Sequence, residues 1–473
     1  MNRLEYLYQK KFGHKPESII PLRSGGSDRK IYRVSAGEHR VIGILGSDYH
    51  ENAAFLEFSR HFKKYALRVP EIYIEDPDAG AYLEEDFGDE TLFSWMTGIR
   101  EQYGFNDTIK NMYGEVVEYL PNFQISAGMS INFAYCYQHD EFGVDSMNWD
   151  LHYFKLRFLN YFYKQKIDHT NLENDFRKLI KFLLQEDRKY FLYRDFQSRN
   201  VMIKNGTPHF IDYQSGRRGA LQYDLASLLY DAKANLPEEF REEMIEVYLN
   251  KARKMTKINP KRFKKYFYGF VLIRIMQAFG AYGYLSAVKG KTHFFKSVPF
   301  AIKNLEILLN KNLEILRQLP TLKKIFSNLI EDKYLKEFHI KKKLVVHINS
   351  FGFHGSGIPA DSSGNNGGFV FDCRFLPNPG REEKYRALTG KDQEVKNYLS
   401  KYKIVADFLE HVYRIVDYAV DNYQSRSFSN LMISFGCTGG QHRSVFCAEK
   451  LAQYLNKKGV ELNLNHIELE KEE

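Results

Sequence analysis

Residues 193–214, YRDFQSRNVMIKNGTPHFIDYQ, set an aspartate, an asparagine five places on and a second aspartate beyond a hairpin-like insert in one short run. Transfer of the γ-phosphoryl group of a nucleotide needs a base beside the acceptor hydroxyl and cations on the phosphates. In a D-x-x-x-x-N loop Asp195 can face the acceptor while Asn200 turns toward a metal, and Asp212 returns to the same place as a carboxylate. Mg²⁺ takes oxygen ligands and commonly only one or two protein carboxylates, so Asn200 and Asp212 suffice for it. Arg194 is expected to support the loop, and Asp224, in LQYDLASLL, to brace it from the next helix. The D-x-x-x-x-N spacing alone also occurs in ordinary turn-rich segments. The Asn205-Gly206 turn and the second aspartate make phosphoryl transfer the favoured account.

A second constellation stands near the other end, in LMISFGCTGGQHRSVFCAEKLAQYL, which reads as a buried strand, a glycine-rich turn and an amphipathic helix. Gly439 and Gly440 let the backbone approach an anion, and the helix start adds oriented N–H donors. Thr438 and Ser444 offer hydroxyls, Gln441 lies between, and His442 and Arg443 supply charge or a fork of donors. The economical reading is a phosphate-binding turn, with a merely tight turn as the bland one. Cys437 and Arg443 also have the C-x₅-R spacing of cysteine-dependent phosphatases, although no acid is identifiable as leaving-group donor.

Other candidates are weaker. Gly25, Gly26 and Ser27 in RSGGSDRKIYRV form either a flap whose N–H groups cover nucleotide phosphates or a simple β-turn. Glu51 is either one member of a charge pair or a helix-start acid. No V-A-I-K-like lysine stands in RVIGIL, so the cation for the α- and β-phosphates is not identified. Asp231, in LLYDAKA, can hydrogen-bond a sugar, and the lack of an acidic run around it favours a neutral or anionic acceptor over a polycation.

The elements that must position these groups fall into four segments. Residues 1–95 read as a small, mostly antiparallel lobe with one amphipathic helix carrying Phe55, Phe58 and Phe62. Residues 96–320 read as a mainly helical large lobe interrupted by the hairpin, and 321–342 as a charged linker. Residues 343–473 then change character, with three strand-like runs separated by helices. The expected class is α+β and α/β: a two-lobed protein-kinase-like fold followed by a separate C-terminal α/β domain.

Bulk properties agree with a soluble chain that takes anionic ligands. The 473 residues are too many for one core, and 44% hydrophobic with 27% charged residues is ordinary for globular proteins. The net charge of +9 suits nucleotides and sugar phosphates, and permits RNA contact without requiring it. Four scattered cysteines argue against a disulfide framework or a cysteine zinc site, and the start MNRLEYLYQKKFGHKP lacks a signal-peptide core. Arg274 and Gln277 inside GFVLIRIMQAFGAYGYL argue against a membrane span. A cytoplasmic location is expected.

The first constellation resembles the catalytic and metal-binding segments of aminoglycoside phosphotransferase-like kinases. More narrowly, LRVPEIYIEDPDAGAYLEEDFGDETL, YRDFQSRNVM, FIDYQSGRRGALQYDLASLLYDA and QAFGAYGYL resemble the bacterial anomeric kinases of N-acetylmuramate and N-acetylglucosamine. That resemblance implies ATP and Mg²⁺ as cofactors, Asp195 as catalytic base, Asn200 and Asp212 as metal ligands, and a sugar 1-phosphate as product of cell-wall sugar recycling. Tyr193 replaces the histidine common before the Arg-Asp pair, and Tyr213-Gln214 follow the second aspartate instead of Phe-Gly.

Residues 343–458, with SFGF, GIPAD, FVFDCRFLPNP, LTGKD and GCTGGQHRSV, resemble the C-terminal domain of RapZ-type proteins. The resemblance implies an amino-sugar phosphate bound by Thr438, Gly439, Gly440, Gln441, His442, Arg443 and Ser444, with Asp372 and Arg374 as neighbours. In that family the domain binds glucosamine 6-phosphate and, in some bacteria, a small regulatory RNA. The P-loop domain usual ahead of it is replaced here by the kinase-like region, which argues against the RNA role. Two other readings stand beside the amino-sugar kinase: a kinase of another small alcohol or aminoglycoside, and an RNA- or protein-binding adaptor with a degenerate kinase lobe.

Overall fold

The computed structural model describes residues 2–22, 29–289, 291–336, 344–361, 367–425, 428–456, 458 and 460–469. Gly25, Gly26 and Ser27 lie outside the described residues. The chain divides into two compact units, Met1–Phe338 and His339–Glu473.

The first unit opens with a five-stranded antiparallel sheet of order β1-β2-β3-β5-β4. Its strands are β1 (Ser18–Leu22), β2 (Lys30–Ala36), β3 (His39–Leu45), β4 (Ile72–Asp76) and β5 (Ala81–Glu85). Side chains alternate across the sheet with period two. One face sends Val34, Val41 and Leu83 against Leu4, Leu7 and Tyr8 of α1 (Asn2–Phe12). The other turns Ile31, Ile42 and Ile44 toward α2 (Tyr49–Lys64) and the main core. Each α1 side chain buried in this way contributes about 1.5–3 kcal/mol. The single helix expected for this lobe is therefore two, because the outer sheet face is apolar as well and needs α1 to cover it. Asp48 caps α2 by accepting the Glu51 N–H at 3.0 Å.

The large lobe begins with α3 (Leu92–Tyr103), α4 (Asp107–Pro121), α5 (Val144–Phe154), α6 (Asn160–Phe162) and α7 (His169–Leu183). Two short ladders follow: β6 (Tyr190–Leu192) pairs with β9 (Arg217–Gly219), and β7 (Val201–Lys204) with β8 (Thr207–Phe210). Asn205 and Gly206 turn the second hairpin with φ of 51° and 74°, the positive pair that a type I′ turn requires. Beyond them lie α8 (Gln222–Leu229), α9 (Glu238–Ala252), α10 (Pro260–Gly283) and α11 (Val298–Asn310). The stretch Pro260–Val288 is long and apolar enough to cross a membrane by length and composition. Half of its most apolar window is buried inside the unit, where α10 packs on α5 and α8.

Residues 321–342 were expected to be a linker, and the structure corrects most of that. After α12 (Glu314–Arg317), α13 (Pro320–Glu331) and α14 (Lys333–Lys336) bury Leu322, Ile325, Phe326, Leu329 and Leu335 in the large-lobe core. The Asp175 carboxylate accepts the Thr321 and Leu322 N–H groups at 2.7 and 3.0 Å, holding the start of α13. The segment's charges lie on one face of an amphipathic helix whose other face is core. Residues 337–343 lie outside the described ones.

The second unit is an all-parallel four-stranded sheet of order β11-β12-β10-β13. It is formed by β10 (Val345–Gly352), β11 (Phe369–Asp372), β12 (Asn430–Cys437) and β13 (Glu461–His466), with α15 (Gln393–Ser400), α16 (Lys403–Ser425) and α17 (Arg443–Asn456) between strands. The run LMISFGC is continuously buried, as a central parallel strand is when both faces are covered. β13 goes beyond the three strands read from sequence; its alternating Asn and Leu make a half-exposed edge.

Candidate functional site

The two ladders of the large lobe bring residues 193–200 and 211–216 side by side. The Ile211 N–H donates to the Asn200 carbonyl at 3.1 Å, and the Tyr193 hydroxyl to the Ile211 carbonyl at 2.6 Å. Asn200 Nδ2 donates to the Asp195 carbonyl at 2.8 Å and to Asp212 Oδ2 at 3.0 Å. Asp195, Asn200 and Asp212 therefore meet at one place. With its amide N–H groups committed to those partners, Asn200 offers a cation its carbonyl oxygen beside the Asp212 carboxylate. That is a hard-oxygen donor pair of the kind Mg²⁺ accepts. Among the described residues no hydrogen bond occupies the Asp195 side chain, which is partly exposed. Such a carboxylate is available to a substrate proton.

The backbone here is held in uncommon conformations. Arg194 and Asp212 have φ of 80° and 69°, a region that side-chain-bearing residues seldom enter. Surrounding bonds enforce both turns. Asp224 accepts the Tyr193 N–H at 2.9 Å and the Arg194 N–H at 3.0 Å, and takes a third bond from Gln124 Nε2 at 2.9 Å. Burial pushes its carboxyl up to about 6 despite those bonds. The Arg194 guanidinium forms a two-pronged bond to Asp150 of α5, at 2.9 and 2.7 Å, and also donates to the Tyr223 hydroxyl. Asp150 is fully buried.

Above Asp212 lies a charge cluster contributed by the small lobe. Arg29, immediately before β2, sits 3.3 Å from Glu51 of α2 and 3.2 Å from Asp212 Oδ1. Gln214 Nε2 donates to Asp212 Oδ1 at 2.9 Å and to Glu51 at 3.4 Å. Burial would lower the Arg29 pKa, but Tyr82, Asp212, Glu51 and Glu84 outweigh it and the net shift is upward. Glu84, fully enclosed on β5, is pushed up to about 8 by burial. Both readings of Glu51 hold: it pairs with Arg29 and lies in the first turn of α2, which Asp48 caps.

Asp195 stands in a cluster of arginines and acids. Arg194, Arg217 and Arg274 all interact with its carboxylate, and Asp150 is the further acid shared by the three. Asp231, the expected sugar-binding residue, accepts the Ser198 hydroxyl at 2.7 Å, so it is tied to the same loop. Lys233, whose pKa burial lowers, interacts with Asp231 and Arg199.

In the second unit the strand ends converge. β10 and β12 finish opposite each other at Gly352 and Cys437, and Asp372 of β11 pairs with Gly436. Crevices at the carboxyl ends of parallel strands are where such sheets bind ligands. Thr438 and Gly439 are exposed there, and Gln441 and His442 half-exposed. His442 Nε2 lies 2.8 Å from the Tyr385 carbonyl. Gly440 adopts φ of 77°, and a side chain on it would strike Glu468 and the Gly352 backbone.

Arg443 and Ser444 depart from the expected role. Arg443 is 4% exposed and donates to the carbonyls of Arg374 and Leu376 at 2.6 and 3.2 Å and to the Thr438 hydroxyl at 3.2 Å. It braces the turn instead of facing solvent. Ser444 is fully buried against the Cys437 thiol at 3.2 Å, and that thiol also takes the Gly440 N–H. Within the C-x₅-R segment, the arginine is thus held largely by backbone carbonyls and the Cys437 thiol is buried. Asp372 and Arg374 form a local, exposed pair with each other.

Residues 18–259 match the phosphotransferase enzyme family, and residues 344–470 match the RapZ C-terminal domain. The chain belongs to the phosphotransferase enzyme family. It joins a phosphotransferase domain of two-lobed, kinase-like fold to a separate RapZ C-terminal domain, as the sequence led one to expect. Curated relatives include a nucleotide-binding protein of Pseudothermotoga lettingae, 35% identical over 161 residues, covering 33% of this chain and 56% of that protein. A nucleotide-binding protein of Bacillus licheniformis is 44% identical over 126 residues, or 27% of this chain and 40% of that protein. The chain thus spans about half the length of the curated relatives it matches. Among solved structures, choline kinase from Cryptosporidium parvum is 14% identical with a TM-score of 0.46, covering 67% of this chain and 98% of that one.

Sequence reasoning missed the far partners of the phosphotransferase site. Asp150 and Arg29 carry no local motif; a buried partner for the Arg194 guanidinium was the one signal that could have been sought. In the RapZ C-terminal domain it missed Glu468, whose carboxylate accepts the Ser356 N–H at 2.6 Å and hydroxyl at 2.5 Å and lies over Gly440.

Proposed function

We propose that the phosphotransferase domain moves the γ-phosphoryl group of ATP to the anomeric hydroxyl of an amino sugar, N-acetylmuramate or N-acetylglucosamine, giving a sugar 1-phosphate. The RapZ C-terminal domain binds an amino-sugar phosphate as an effector, and the protein works in the cytoplasm on sugars recovered from cell wall. The observation that carries the catalytic reading is the meeting of Asp195, Asn200 and Asp212 within one hydrogen-bonded loop pair.

Asp195 accepts the proton of the sugar hydroxyl as its oxygen bonds to the γ-phosphorus, and the bond to the β-phosphate oxygen breaks. Asn200 and Asp212 hold Mg²⁺, which when bound offsets charge on the phosphates. The Arg194–Asp150 clamp and the Asp224 bonds keep the base aimed. Asp231 is suited to accept a sugar hydroxyl, and Lys233 and Arg199 to meet an acidic substituent.

The test is product analysis by NMR after incubation with ATP, Mg²⁺ and either sugar. Phosphate coupled to the anomeric proton is the expected result, abolished in Asp195→Asn while nucleotide binding persists. Turnover confined to alcohols other than amino sugars would reject the acceptor, and full activity in Asp195→Asn would reject the base.

A further inference from the structure

We propose that Arg29 is the cation that meets the nucleotide phosphates, reaching the cleft from β2 because β3 supplies none. In kinase-like sites a lysine on the third strand pairs with a glutamate on the following helix and with the phosphates. On β3 the cleft-facing positions here are Ile42 and Ile44, both packed into the main core. Strand register shows how the charge has moved. Ile31 of β2 stands opposite Ile44, and Lys30 opposite Leu45. Arg29 lies two residues before Ile31, so its side chain leaves the sheet on the same cleft face.

Its surroundings fit the role. A side chain on Gly46, at the end of β3, would come within 3.2 Å of Arg29 Cγ and 2.6 Å of Asn52 Oδ1, so the bare backbone there leaves room for the arginine to pass. Glu51 of α2 takes the place of the helix glutamate at 3.3 Å, and the guanidinium also reaches Asp212 Oδ1 at 3.2 Å. A cation this close to Asp212, which would hold a nucleotide-bound metal, is placed to meet the phosphates of that nucleotide. A guanidinium presents a planar fork that pairs with phosphate through two parallel bonds, which a lysine cannot do. The side chain is 9% exposed and stands among Glu51, Glu84 and Asp212, so the acids hold it in place before nucleotide arrives.

This rests on the nucleotide part of the proposed function and not on the identity of the acceptor. Calorimetry compares binding of a Mg²⁺-loaded non-hydrolysable ATP analogue with binding of adenosine in wild type, Arg29→Ala and Arg29→Lys. Arg29→Ala is expected to weaken the analogue about 30-fold or more while adenosine, which carries no phosphate for Arg29 to meet, stays within about threefold. Arg29→Lys, keeping the charge without the fork, should recover to within about tenfold of wild type. Should Arg29→Ala fail to fold, Arg29→Gln carries the same comparison. Unchanged analogue binding, or an equal loss of analogue and adenosine, overturns the assignment and leaves Arg29 a bridge between β2 and α2. Wild type that binds the analogue but phosphorylates no amino sugar sinks the acceptor reading alone; wild type that binds neither ligand sinks both.

Discussion

Asp150→Asn tests the clamp beneath the catalytic loop. Asp150 is fully buried, and the Arg194 side chain is 11% exposed, with two bonds of 2.9 and 2.7 Å between them. The substitution leaves the guanidinium enclosed beside Arg217 and Arg274 with half its acceptor lost and an amide N–H turned toward it. Removing one partner of a buried pair costs about 3–5 kcal/mol, because the remaining charge is uncompensated. At ~2–4 °C per kcal/mol, the first unit should melt about 6–20 °C lower, the upper end requiring the full loss. Both tryptophans, Trp95 and Trp149, lie in Met1–Phe338, so intrinsic fluorescence reads that unit alone. The strained Arg194 turn directly precedes Asp195, so kcat should fall more than tenfold with little change in nucleotide KM, an order of magnitude matching a misplaced base. Arg194→Gln in the same background should cost less than the sum of the single changes. A melting point within ~2 °C of wild type and an unchanged kcat would refute the clamp.

Two other outcomes follow from the geometry. Burial raises the Asp224 carboxyl from 3.8 to about 6, so between those values the folded chain holds a proton that the unfolded chain has released. On this group's account stability is greatest below pH 3.8 and is lost as pH rises through 6, a swing of about 3 kcal/mol. Activity should run the other way, falling below pH 6 as the carboxylate that receives the Tyr193 and Arg194 N–H groups is protonated. Asp224→Asn should flatten both dependences, and pH profiles of kcat and of fluorescence melting unaltered by the change would contradict this. In the RapZ C-terminal domain, Gly440→Ala puts a methyl 2.3 Å from Glu468 Cγ and 2.7 Å from the Gly352 nitrogen at a φ of 77°. It should weaken glucosamine 6-phosphate binding, measured calorimetrically, by tenfold or more, on the order of the 1–3 kcal/mol that such backbone strain costs. Equal affinity would remove the turn from the site.

The sequence by itself determined the local parts of this protein. The order Asp195, Asn200, Asp212 around an Asn-Gly turn, the glycine pair after a continuously apolar strand and the small antiparallel lobe were all legible. Each depends on groups a few residues apart, where backbone hydrogen bonding and side-chain period leave few alternatives. Amphipathic α13 was read as linker because charge was weighed over its buried stripe of Leu322, Ile325, Phe326 and Leu329. Which charges meet was decided by tertiary structure. Asp150 reaches Arg194 across 44 residues and Arg29 reaches Asp212 across 183. Arg443, which the spacing offered as an anion ligand, was turned onto the carbonyls of Arg374 and Leu376. A buried guanidinium must find acceptors wherever the packed core places them, and no local pattern of residues encodes that place.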